Sequence, residues 1–249
     1  MFPLRDDNPT LHLSFATYLI LGINVAAWVF IQGMGMQPAL IQSVWTWGLI
    51  PGELLGFVDD GQRVQLGPGV VAVLDGVPNP ATLITSMFMH GGWMHLIGNM
   101  WFLYVFGDNV EDVMGSVRFV IFYLLCGLAA AIAQIVLGGA TSVIPMVGAS
   151  GAIGGVMGAY MMFFPSARVH LLVFLGFFIT RIAVPAVLML GYWFFLQFLS
   201  GSTSGASGGG VAFWAHVGGF VAGFLMARPF SSRKRLQERR VLLGSRRWR

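Results

Sequence analysis

The chain has 249 residues, with 14 Lys and Arg against 10 Asp and Glu; it is 56% hydrophobic and only 10% charged. Globular domains average about 25% charged residues, so this composition excludes an ordinary water-soluble domain, a disordered chain and a nucleic-acid-binding module. What it fits is a polytopic membrane protein, and nine of the fourteen cations lie in Arg228–Arg249, beyond the last apolar run, where an anionic lipid surface is their natural counterpart.

A helix needs roughly 20 mostly apolar residues to cross the hydrocarbon core. The first such run is Ser14–Ile31. It lacks the basic start and small-residue cleavage site of a secretory signal, so it reads as a retained span. A long segment from Gln32 to Met89 follows, mixing Trp45, Trp47, four of the ten acids and many Gly and Pro, and it is expected to lie partly embedded at the interface. Five further runs come at Gly92–Phe106, Phe119–Leu137, Ala149–Phe164, Ile182–Leu199 and Val211–Ala227. The first of these five is expected to begin nearer Leu83. His170–Thr180 is also apolar, but Arg168 and Arg181 bracket it too closely for a span, so an interfacial or re-entrant piece is expected. Six spans result, or seven if that piece crosses. Gly201–Gly210, without charge or bulk, reads as a flexible exterior connector.

Six spans put Arg5, Arg118, Arg168, Arg181 and the basic C-terminal segment on one side and leave Arg63 on the other. Cations collect on the cytoplasmic side, so both termini are expected there. The fold class expected is all-α: one membrane unit over residues 1–230 with a basic cytoplasmic tail over 231–249. The lone Cys126 excludes an intramolecular disulfide and a Cys-rich metal site.

Polar groups inside spans are costly and invite a functional explanation. Asn24, Gln134 and Gln197 are isolated, and hydrogen bonding between helices accounts for them. Ser150 lies in VGASGAIGGVMG, sharing a helix side with Gly154 and Gly158; His216 lies in FWAHVGGFVAG, sharing its side with Gly219 and Gly223. Alone, the Ser150 segment reads first as a small-residue packing face and His216 as a histidine hydrogen-bonded to neighbouring backbone. Together, two glycine-bearing faces packed on each other would bring a hydroxyl to an imidazole, the geometry for activating a serine nucleophile. No acid lies near either in the spans, so the pair would be a dyad without an acidic third member. His95 and Asn99, four apart in HGGWMHLIGNM, fall on one helix face. They read either as interhelical hydrogen-bonding groups or as donors to an oxyanion, with the Ser150 backbone N–H as a third donor. The sequence has no H-E-x-x-H, and His90 and His95 are five apart, so neither a metal nor a cofactor is expected.

These residues resemble the rhomboid family of intramembrane serine proteases. The resemblance rests on His90-Gly-Gly-Trp-Met-His95-x-x-x-Asn99, Gly107-x-x-x-Glu111-x-x-x-Gly115, Gly148-Ala-Ser150-Gly151 and Ala215-His216-x-x-Gly219-x-x-x-Gly223, in that order. It implies a six-transmembrane-helix bundle with a wet cavity on the exterior side and a partly submerged loop between the first two spans. It implies Ser150 as nucleophile, His216 as general base and then acid, and His95, Asn99 and the Ser150 amide as oxyanion donors. Glu111 is expected to organise hydrogen bonds. The Trp-Arg pair that many relatives carry in the first long loop is missing. The partners implied are transmembrane protein substrates and membrane lipids, with no nucleic acid; the membrane implied is the bacterial inner (plasma) membrane. The substrate helix is expected to be cleaved near its exterior edge, where it must unwind, and to be admitted by movement of the fifth span, which Trp193, Phe194 and Phe195 make bulky, or of the exterior loops. The rival reading is an inactive rhomboid-like protein that binds and escorts transmembrane clients.

Overall fold

The computed structural model describes residues 2–67, 69–175, 178–203 and 211–244. The order is β1 (Phe2–Asp6), α1 (Phe15–Ala26, continued by a π turn over Ala27–Ile31), α2 (Ala39–Trp47), the single turn α3 (Pro51–Leu54), β2 (Arg63–Gly67) and β3 (Val70–Val73). Then come the single turn α4 (Thr82–Thr85), α5 (Trp93–Met114), α6 (Ser116–Gly138), α7 (Ser150–Phe163), β4 (Arg168–Leu175), β5 (Phe178–Pro185), α8 (Ala186–Thr203), α9 (Phe213–Phe230) and α10 (Arg233–Leu243).

Six of these helices, α1 and α5 to α9, follow the six expected apolar runs in order. By length and composition α6 and α8 are each sufficient to cross a membrane, while α1 with its π turn and α7 are shorter apolar helices. α5 carries Asp108, Glu111 and Asp112 in its last turns, and α9 carries Arg228. Phe30, Met94, Val136 and Leu225 point outward from these helices. Apolar surface on that scale suits lipid rather than water.

The centre of the bundle is α7 against α9. Gly219 and Gly223 meet the backbone of Gly151 and Gly155, and a Cβ at either position would run into the facing carbonyl oxygen. In the other direction, a Cβ on Gly154 would lie 3.1 Å from the carbonyl oxygen of His216. Small residues let helix backbones approach closely, and dispersion contacts along such a seam hold helices together where lipid removes the hydrophobic drive. Around the seam, Phe106, Phe122, Tyr123, Met157, Tyr160 and Phe220 form one buried core.

Three expectations change. The second apolar helix does not start near Leu83: that residue belongs to α4, the chain runs extended at Met89, and Gly92 precedes a helix that instead gains length at its far end, to Met114. The fold also departs from all-α. The segment expected as interfacial or re-entrant is an antiparallel hairpin, Arg168↔Pro185 through Leu175↔Phe178, with β1 added on its other edge through Phe2↔Leu172 and Asp6↔Val169. Strand pairing satisfies the backbone groups of a run too short to cross as a helix, while Val169 and Leu171 turn into the core. Finally, the Asn24 side-chain amide donates within its own helix, to the Ile20 carbonyl at 2.8 Å, rather than between helices. The connector expected at Gly201–Gly210 lies outside the described residues from 204 on, as does the basic tail from 245.

The loop that lacks the Trp-Arg pair is tied down by other means. Gln32 brackets His90, accepting from its backbone N–H and donating to its carbonyl, each at 2.8 Å. Leu49 and Met146 exchange backbone bonds at 2.9 and 2.7 Å, and Gly52 N–H donates to the Ser142 carbonyl. These ties fasten the loop to the chain just ahead of Ser150.

Candidate active site

Ser150 opens α7 because the chain reaches it through Gly148, whose φ of +123° is one that L side chains rarely adopt. A Cβ at Gly148 would also lie 2.6 Å from His95 Nε2 and 3.6 Å from Ser150 Oγ. One glycine thus makes the turn and leaves room between the His95 ring and the serine. Opposite, the α7–α9 seam sets His216 on α9 so that its Nε2 lies 2.7 Å from Ser150 Oγ. Both side chains are half-buried, and a small cavity of about 20 Å³, room for a single water, lined by Ser86, Met87, Gly148, Ser150 and Ala215, lies beside the serine.

His95 and Asn99 lie on α5, one turn apart. The Nδ1 of His95 accepts a bond of 3.3 Å from the Gly91 N–H, and its ring meets that of His90 edge-on at 5.1 Å. Asn99 is 6% exposed, and its Nδ2 has no partner among the described residues. A buried donor left unpaired costs free energy unless something else fills it. The structure therefore brings Ser150 and His216 into direct contact, sets His95 against the Gly148 turn next to Ser150, and leaves Asn99 with a free donor on the same helix face as His95.

Two residues outside this set take part in ways their spacing does not reveal. Gln197 on α8 places its Oε1 2.7 Å from His216 Nδ1, so its bond between helices is made to the imidazole. Trp193, one turn earlier, has its ring centroid 5.8 Å from that of His216. A polar residue in a span is the visible signal for Gln197; its partner depends on the rotation of α8 about its axis, which the sequence pattern leaves open. Gln134 also joins two helices, accepting from the Ala215 N–H at 3.2 Å. An apolar groove of about 430 Å³ runs along α8, between Phe102 on α5 and Leu188, Tyr192 and Trp193.

Glu111 sits at the other end of α5 and is buried. Its carboxylate accepts from Ala16 N–H (2.9 Å), Thr17 N–H (2.7 Å), Thr17 Oγ1 (2.8 Å) and Ser116 Oγ (2.6 Å). It thereby fills donors of the first turn of α1 that no helical carbonyl can reach. This is the organising role expected of it. Among the described residues no three His, Cys, Asp or Glu side chains converge as a metal would need.

A largely apolar helical bundle, threaded by a glycine seam and holding a Ser–His contact beside a cavity, defines an integral membrane protein with a hydrolase-like pair of side chains. The Rhomboid domain profile matches residues 79–233, more than half the chain, and the chain belongs to the rhomboid family. It is 34% identical over 145 residues to Rhomboid protease GluP of Bacillus subtilis, covering 58% of this chain and 25% of that protein. It is 30% identical over 182 residues to Rhomboid protein 1, mitochondrial, of Saccharomyces cerevisiae, covering 70% and 49%. RHOMBOID-like protein 6, mitochondrial, of Arabidopsis thaliana matches at 39% identity over 80 residues, 32% of this chain and 25% of that protein. The chain thus spans between a quarter and a half of the length of these relatives.

Proposed function

We propose that the protein is an intramembrane serine endopeptidase that hydrolyses peptide bonds in or near the transmembrane segments of other membrane proteins. The observation that carries the reading is the 2.7 Å contact between Ser150 Oγ and His216 Nε2. In this mechanism His216 takes the hydroxyl proton as Ser150 attacks the scissile carbonyl, then returns it to the departing amine; water repeats the cycle on the acyl-enzyme. The negative charge that builds on the carbonyl oxygen is met by His95, Asn99 and the Ser150 backbone N–H. The unpaired Nδ2 of Asn99 and the start of α7 at Ser150 support that assignment, since free donors aimed at a developing charge need no rearrangement when it forms.

The membrane placement follows from lengths. At 1.5 Å per residue the 14 residues of α7 span about 21 Å, against a core of about 30 Å. A helix this short, anchored at one face, begins its first turn below the other, which sets Ser150 within the layer rather than at its surface. All six apolar helices then cross, with the segment between α1 and α5 partly submerged. The distribution of arginines supports a cytoplasmic position for both ends of the chain, with residues 1–230 as the membrane unit and 231–249 as a basic cytoplasmic segment. A bacterial inner membrane is the location this reading takes, although two of the relatives are named as mitochondrial. Substrate reaches Ser150 laterally past α8, where Trp193 lines the outer groove and also neighbours the His216 ring.

Ser150→Ala and His216→Ala should each lower cleavage of a reconstituted single-span substrate by at least ~10³-fold while leaving thermal unfolding in detergent nearly unchanged. A fluorophosphonate should label the unaltered protein and neither variant. Normal turnover in either variant overturns the proposal. An intact fold that never labels leaves the client-escort reading in its place.

A further inference from the structure

His216 has two ring nitrogens, and the dyad uses one of them. For Nε2 to accept the hydroxyl proton of Ser150 it must be the bare nitrogen, so the neutral ring must carry its hydrogen on Nδ1. Nothing in the dyad itself fixes that choice. The opposite tautomer would point an N–H at the serine and could take no proton from it.

The second nitrogen is not left to chance. Nδ1 faces the Oε1 of Gln197 at 2.7 Å. A carbonyl oxygen only accepts, so with the amide turned as it is here the contact is satisfied by an Nδ1–H. We propose that Gln197 is a positioning residue. Through that hydrogen bond it fixes the tautomer and the ring plane of His216, which makes the site a relay of three helices: Gln197 on α8, His216 on α9 and Ser150 on α7. The inference rests on the dyad reading. Trp193 strengthens it, since it lies one turn before Gln197 on the same face of α8 with its ring 5.8 Å from the imidazole. The ring is therefore held at both nitrogens and against one face.

The choice of an amide has a physical reason. A carboxylate here would have to be stripped of water within an apolar bundle, at a cost of several kcal/mol, whereas the amide carries no charge and still offers a carbonyl. The proton count is unaffected. The Ser150 hydrogen moves to Nε2, the Nδ1–H stays donated to Gln197 throughout, and the Nε2 hydrogen leaves with the amine.

The test uses the full chain in detergent micelles, with Gln197→Met, which keeps length and loses the acceptor, and Gln197→Glu, which keeps an acceptor oxygen. Turnover of a single-span substrate is measured together with 15N spectra of labelled histidine, the His216 signals being identified by their loss in His216→Ala. Expected for Gln197→Met are a kcat about 10- to 100-fold lower, within what a positioned base contributes, and a KM that barely moves. Its His216 spectrum should change from one Nδ1–H tautomer to a mixture. Gln197→Glu, which enters the apolar bundle as the neutral acid and so avoids the cost of a buried charge, still offers a carbonyl oxygen to the Nδ1–H and should recover most of the turnover. A Gln197→Met protein with wild-type kcat, or with its His216 tautomer unchanged, overturns the proposal, as does an equal loss in both variants. Should Ser150→Ala and His216→Ala cleave normally, the dyad reading falls, and the spectra alone still decide whether Gln197 sets the ring.

Discussion

Ser150 at the start of α7 and Tyr160 toward its end belong to one helix in one apolar bundle, yet their surroundings are built on opposite lines. Around Tyr160 every acid is occupied. Asp6 accepts from the Tyr160 hydroxyl and from Asn109 Nδ2. Asp112 accepts from the N–H groups of Leu11 and His12, from His12 Nδ1 at 2.6 Å and from Arg239. Arg239 also donates to Asn8 Oδ1 and the Pro9 carbonyl, and its guanidinium lies 5.1 Å from the Phe164 ring centre. This network fastens β1 and α10, from opposite ends of the sequence, under α5 and α7. Around Ser150 no carboxylate bonds to Ser150, His216, His95 or Asn99 among the described residues, and one donor is unspent. The difference teaches how to separate two uses of polar groups in an apolar interior. A network in which every carboxylate is engaged holds the helices, whereas a set without carboxylates and with a spare donor is stabilised further only when a new charge appears.

Removing one member from each end tests that separation. Arg239 is fully buried, and Arg239→Ala leaves Asp112 in the interior without its ion partner. A loss of about 3–5 kcal/mol follows, read as a lower midpoint of thermal unfolding in detergent. Fluorophosphonate labelling of Ser150 in the cold should stay close to wild type, because the opposite end of α7 is untouched. A variant that melts normally but no longer labels would break the comparison. Asn99→Ala should show the reverse. Its kcat falls by about 10²–10³, the cost of one oxyanion donor, while KM and melting hardly move, since the Nδ2 that is lost bonds to nothing among the described residues. An effect confined to KM would return Asn99 to a packing role.

The two ends were not equally legible in the sequence. Ser150 and His216 stand out because glycines at helical spacing mark the faces on which backbones meet, and the seam of Gly151 and Gly155 against Gly219 and Gly223 follows that pattern. His95 and Asn99 could be placed on one face of one helix by counting. Gln197 was visible as a polar residue in a span, but its partner is fixed by how α8 is turned toward α9, which no count supplies. The base was harder still. A continuous apolar run such as HLLVFL looks alike in a buried strand and a buried helix, and its partner strand lies more than 160 residues earlier, Arg5 opposite His170. Arg239 sits in a stretch whose many cations read as a surface-facing tail; only the fold shows that this one turns inward to Asp112.

The smallest expected effect lies within the base itself and asks whether it is held by charge or by hydrogen bonding. Burial raises the carboxyl of Asp6 to about 6, with the bond from Tyr160 opposing the shift. Burial also lowers Arg239, though only to about 10, so it remains cationic at neutral pH. With the folded value of Asp6 above the ordinary 3.8, the native protein holds more of the Asp6 proton than the unfolded chain does between about pH 4 and 6. Stability from this group is then fully present at the acid end and declines as pH rises through the folded value. A shift of about two units corresponds to ~3 kcal/mol, and screening at a partly exposed strand leaves about 1 kcal/mol. Asp6→Asn keeps an oxygen for Tyr160 and Asn109 but cannot ionise. It should therefore flatten that part of the decline in melting temperature between about pH 4 and 7, and at neutral pH should melt no lower than wild type. If it melts lower there, the ionised carboxylate is itself a stabilising partner of Arg239, and the Tyr160 end of the bundle works as an ion cluster rather than as a set of hydrogen bonds.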